Sequence, residues 1–147
     1  MKNLLVAVDL TSTDAPLLDH ACRLGKALDA KVWLLHVAAP DPDFVGYGVG
    51  PQHIRDVVAE SFRQEHHQLH DYVESLNRQG YAADGLLIQG PTAEMIRQEV
   101  AKLRIDLLIL GSHRHGLLYE LFVGHTATRV LKDIAIPVMI IPLADES

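Results

Sequence analysis

The sequence has a single cysteine, Cys22, so it can close no internal disulfide, which suits a reducing compartment. It has no apolar run approaching the ~18 residues that would mark a membrane-spanning helix. Met1-Lys2-Asn3 leads straight into a strand-like run, without the charged and then apolar sections of a signal peptide. Lysine and arginine form no block, and the net charge of -6 with a pI near 5.8 argues against an unassisted nucleic-acid or membrane-surface role. A Gly-x-x-x-x-Gly-Lys-[Ser/Thr] loop is missing, because Gly25-Lys26 falls inside a helical pattern. Neither a nucleophile elbow nor a Ser-His-Asp spacing occurs. These absences predict a cytoplasmic protein with no catalytic residue to name, no nucleic-acid partner and no membrane partner. Cys22 lies on a helical pattern and reads as a small core residue rather than a nucleophile.

What is present is apolar content enough for one core: 48% of 147 residues. Residues 1–147 read as a single domain. Leu4 to Asp9 is a short, almost continuous apolar run ending on a carboxylate, the look of a strand buried on both faces. Thr13 or Asp14 can cap the helix that follows, with Pro16 in its first turn and Leu17, Ala21, Leu24 and Leu28 on its inner face. Lys31 to Ala38 is the second strand, completing a right-handed βαβ unit. The Pro-, Asp- and Gly-rich stretch from Ala39 to Gln52 reads as a long loop. From near His53 to Arg78 runs a long amphipathic helix, with Gly80 as its stop. His66 and His70 lie four apart on it and could clamp a metal, but no carboxylate or thiol signature completes a site, so they read as part of a solvated face and no metal is predicted.

Leu86 to Gln89 forms the third strand. A helix with Ala93, Ile96, Val100 and Leu103 inward follows, and then a fourth strand, Leu107 to Leu110. A helix near Thr126 to Lys132 precedes a fifth strand, Val138 to Ile141, whose flanking Pro137 and Pro142 suit a sheet edge. Strands alternating with helices in this way predict an α/β, doubly wound, Rossmann-like domain. Asp9 then sits at the carboxyl edge of its strand, where ligands of open parallel sheets bind, although an Asx-turn into Leu10-Thr11-Ser12 would also explain it.

The densest signal runs from Leu107 to Thr126. Its apolar strand stops at Gly111, Gly116 follows in a polar loop, and Gly124 precedes the helix. The first turn of a helix leaves amide N–H groups unpaired and carries the positive end of the dipole, so such a segment suits phosphate. Glycine at Gly111 and Gly124 would permit close backbone approach and positive φ. Plain turn punctuation would use the same residues.

This segment resembles the nucleotide-binding signature of the universal stress protein family: Gly, two residues, Gly, nine residues, Gly, then Ser or Thr. Gly111 and Gly124 fall on the first and third glycines. Arg114 stands at the second glycine and His125 at the Ser/Thr position, with Gly116 two residues after Arg114 and Thr126 one residue after the hydroxyl position. The resemblance extends over nearly the whole chain. It implies a five-stranded parallel sheet ordered 3-2-1-4-5 and a homodimer paired through the last strand, Val138 to Ile141. It also implies a pocket for ATP or another adenine nucleotide, with Mg as a companion. Asp9 and Val37 match the family's adenosine-lining positions, and Leu110 could lie over the base. Gly111, His113, Arg114, Gly116, Gly124, His125 and Thr126 belong to the ribose and phosphate loop. The expected function is a nucleotide-binding regulatory module in stress response. A nucleotide-free dimeric adaptor and, less favoured, a slow ATPase are the alternatives; the resemblance names no protein partner.

Overall fold

The apolar runs all become strands of one sheet in the computed structural model, which describes residues 1–38, 52–113 and 129–143. The elements in chain order are β1 (Asn3–Ala7), α1 (Asp14–Leu28), β2 (Lys31–Ala38), α2 (Gln52–Arg78), β3 (Ala83–Gln89), α3 (Thr92–Lys102), β4 (Leu107–His113) and β5 (Val138–Leu143). The five strands are parallel and ordered β3-β2-β1-β4-β5, the order the resemblance implies. Of the expected last helix, residues 129–131 are helical, and residues before 129 lie outside the described part.

Alternation of side chains across the sheet builds two cores and explains the unbroken apolar runs. Leu4, Val6, Leu34 and Ile109 face α1 and α2, where Leu17, Ala21, Leu69 and Leu76 cover them. Leu5, Leu35, Leu108 and Leu110 face the other way, against Ile96 and Val100 of α3 and Val130. Each such side chain contributes about 1.5–3 kcal/mol of burial, so the central strands β1 and β4 are the best-secured part of the fold.

The helix faces differ from the expectation in one place. Leu28 is 41% exposed, and Gly25 takes the inward position one turn earlier. A Cβ on Gly25 would stand 2.6 Å from Val32 Cγ2, so α1 closes on the sheet at its C-terminal end and leaves no room for a leucine there. Helix α2 ends where predicted, with Gly80 at φ 95 directly after it.

Two strands are longer than their hydrophobic patterns. β3 begins at Ala83 rather than Leu86, with Asp84 paired to Lys31 at 3.5 Å while the Lys31 ammonium lies 4.0 Å above the Trp33 ring. β4 continues through Gly111, Ser112 and His113, pairing with Ile141, Pro142 and Leu143 of β5. Pro142 is thus inside a strand, which an edge position allows because its missing N–H breaks no central ladder.

Cys22 is buried, and desolvation, aided by the Asp19 charge, pushes its thiol up to about 11. The native protein should therefore leave Ellman's reagent unreacted at pH 8 and release one thiol equivalent on unfolding. Rapid reaction of the native protein would show Cys22 to be accessible.

Candidate functional site

The strand order reverses between β1 and β4, and three residues of interest lie at the carboxyl edge there. The ladder to β2 ends at Ala7–Leu35 and that to β4 at Val6–Ile109, and Asp9 follows β1 by two residues, at the same carboxyl edge as Val37 of β2 and Ser112 of β4. Just past β1 the Val8 amide still donates to the Leu35 carbonyl at 2.9 Å. Asp9 is exposed at this carboxyl edge. Val37 lies on the α3 side, packed partly against that core.

Ser112 was not singled out in the sequence. It is 1% exposed, and among the described residues its Oγ has no hydrogen-bond partner. A buried hydroxyl left unpaired costs about 1–3 kcal/mol, and such groups mark places where a ligand completes the structure.

Other residues of the expected site separate into different roles. Leu110 is 2% exposed and packs into the α3-side core. Gly111 lies in β4 and does not adopt positive φ, contrary to the conformational reason given for it. A Cβ there would collide with Leu143 Cδ1, and Leu17 Cδ2 stands 3.6 Å away. Gly111 thus lets β5 and α1 close over the strand. His113 ends β4. Arg114, Gly116, Gly124, His125 and Thr126 lie outside the described residues.

The loop after β1 is organised by a carboxylate inside it. Asp14, the first residue of α1, is 1% exposed. Its Oδ1 accepts from the Asp9 amide at 3.1 Å, and its Oδ2 accepts from Leu10 at 2.7 Å and Thr11 at 3.2 Å. Leu10 is held at φ 62, a left-handed conformation that costs a leucine about 1–2 kcal/mol. From α2, the Tyr72 hydroxyl donates to the Thr11 carbonyl at 3.4 Å. Burial, joined by the neighbouring Asp9 charge, holds the Asp14 carboxyl above its ordinary value, although the three amide bonds pull it down. Tyr72 is raised as well, by burial and then by the Asp14 charge.

His36 ties the same edge to α2. Its Nδ1–H donates to the Val8 carbonyl at 2.8 Å, which turns Nε2 toward Glu65 Oε2 at 3.4 Å. Among the described residues that oxygen is buried with no other partner. Further along α2, His67 pairs with Asp71 and His70 with Glu74, all largely exposed. Among the described residues no three His, Cys, Asp or Glu side chains converge as metal ligands, and no helix is long and apolar enough to cross a membrane.

This fold, with an acidic strand end and a glycine-bearing strand on either side of the reversal, matches a known family over its length. The family model described as the universal stress protein family matches residues 1–142, and the chain belongs to that family. A universal stress protein A-like protein of Arabidopsis thaliana is 30% identical over 126 residues, covering 81% of this chain and 71% of its own. A universal stress protein A homolog of Haemophilus ducreyi is 29% identical over 150 residues, covering 99% of both. Among solved structures, a universal stress protein of Lactobacillus plantarum superposes with a TM-score of 0.74 at 16% identity, covering 95% of this chain and 97% of the other.

Proposed function

We propose that this chain is an adenine-nucleotide-binding regulatory module, taking ATP or an AMP-type ligand in the crevice between β1 and β4. The observation that carries the reading is that Asp9, Val37 and Ser112, whose buried hydroxyl is unpaired among the described residues, lie at the carboxyl edge where strand order reverses. In this reading Asp9 accepts hydrogen bonds from the nucleoside, and the phosphates fall to the signature segment through Gly124, as the family resemblance implies. Two structural neighbours support the ligand class: one universal stress protein was solved with cAMP and one from Archaeoglobus fulgidus with dAMP, at TM-scores of 0.65 and 0.67 and 15% identity each. Mg enters this reading only as a companion of the ligand's phosphates. Mass spectrometry of the gently denatured protein tests the reading. Release of a stoichiometric adenine nucleotide supports it, whereas a ligand-free protein that also ignores added ATP and AMP favours the nucleotide-free adaptor. Phosphate release faster than that of a Gly124 variant would move the reading to a slow ATPase.

Arg114 stands where the family's signature has glycine, adding bulk and a β-carbon. The expected effect of Arg114→Gly is tighter ATP binding by isothermal titration. Weaker binding would make Arg114 a phosphate clamp.

The module is proposed to act as a homodimer. β5 is an edge strand with Val138, Met139 and Ile140 only half-buried, and an apolar edge of this kind is a template for strand pairing. Light scattering is expected to give twice the chain mass of 16.3 kDa. A monomeric mass at micromolar concentration would remove the dimer from the proposal.

A further inference from the structure

In doubly wound folds the first strand-to-helix turn is a common place for phosphate, because its amides converge on one point. Here the amides of Asp9, Leu10 and Thr11 converge too, but on the chain's own Asp14 carboxylate. We propose that Asp14 is a positioning residue: its carboxylate fills the anion-binding turn after β1, fixes Asp9 at the crevice, and sends the phosphate end of a nucleotide away from β1.

The geometry supports each part of this role. The carboxylate is buried at 1% exposure, so no solvent anion competes for the three amides. Its bond to the Asp9 amide fixes the backbone from which the Asp9 side chain projects, and its bond to the Leu10 amide holds that residue at φ 62. The titratable groups facing it are Asp9 in the same loop and Tyr72 from α2, which also grips the Thr11 carbonyl. A phosphate entering this turn would meet two carboxylates and no free amide among the three. A nucleotide therefore binds with its nucleoside over β1 and its anionic end elsewhere.

The role rests on the nucleotide reading, but one half can be tested without any nucleotide. Amide resonances of Asp9, Leu10 and Thr11 are followed by NMR in the parent, Asp14→Asn and Asp14→Ala proteins, with inorganic phosphate as the probe. In the parent, the three amides are expected to ignore millimolar phosphate and to shift together as the Asp14 carboxyl protonates at low pH. In Asp14→Asn the common acid shift disappears. In Asp14→Ala, phosphate moves the same three amides, a response that a purely structural role for Asp14 would not produce. If Asp14→Ala is unfolded, the acid shift and its loss in the near-isosteric Asp14→Asn decide the question.

The second half is read with adenosine and AMP. Asp14→Asn is expected to weaken adenosine binding about tenfold, the scale of one charge-assisted hydrogen bond. Parent amides that move with phosphate, an acid shift retained in Asp14→Asn, or unchanged adenosine affinity would each overturn the proposal. A parent that binds neither adenosine nor AMP would instead overturn the nucleotide reading, and the amide titration would still show whether Asp14 holds the turn.

Discussion

Asp9→Ala is expected to abolish the stabilisation that ATP gives the parent while leaving the unliganded protein as stable as before. Ligand at about 100 times its dissociation constant adds roughly 2.7 kcal/mol to a protein that binds it only when folded. For a chain of this size that corresponds to a rise of about 5–10 °C in unfolding midpoint. The variant should show no such rise. Its fold should survive because Asp14 holds the loop through the Asp9 amide, which alanine retains, and because the Asp9 side chain is exposed. Removing it also relieves the repulsion between two neighbouring carboxylates. Differential scanning calorimetry of both proteins with and without ATP makes the measurement. An equal ATP shift in the two would reduce Asp9 to a turn residue and displace the crevice from β1.

Gly111→Ala is expected to cost about 1–3 kcal/mol of stability with or without nucleotide, the usual penalty of overpacking a filled interior. The new β-carbon points at Leu143 Cδ1, and β5 must shift to admit it. Because Gly111 is not at positive φ, backbone strain adds nothing. The cost should therefore shrink in a Leu143→Ala background, giving a double-mutant coupling of the kind seen for residues in contact. Urea unfolding of the four proteins tests this. If Gly111→Ala is as stable as the parent and only nucleotide affinity falls, the glycine faces the ligand after all.

These two residues mark where sequence reading succeeded and where it stopped. The place of Asp9 at the carboxyl edge was legible because an apolar run stops on a carboxylate, although β1 itself ends two residues earlier, at Ala7. Gly111 was read as the end of its strand, but β4 runs two residues past it, and its constraint comes from Leu143, far along the chain and visible only once β5 pairs with β4. The same physics hid the start of β3. Ala83-Asp84-Gly85 precedes the apolar run that starts at Leu86, yet Gly85 is needed because a Cβ there would stand 2.9 Å from Val73 Cγ2 and 3.1 Å from Leu69 Cγ of α2. Asp14 was legible only as a helix cap. Its carboxylate instead turns back to amides three to five residues earlier, a conformation set by Leu10 and by α2 packing overhead. Ser112 gave no signal, because an unpaired hydroxyl is a property of its surroundings.

The seam between β1 and β4 also has a kinetic meaning. Asp106 accepts from the amides of Lys2 and Asn3 at 2.7 and 3.1 Å, across separations of 104 and 103 residues, while the other strand pairs join segments much closer in the chain. A nascent chain can assemble β1, β2 and β3 early, but the inner flank of β1 stays open until β4 has been made. Closing so long a loop is slow relative to local pairing, and an open apolar strand is the form most prone to aggregate. Pulse-labelled hydrogen exchange during refolding should therefore protect β2 and β3 amides before those of β4, and simultaneous protection would show that the sheet condenses in one step.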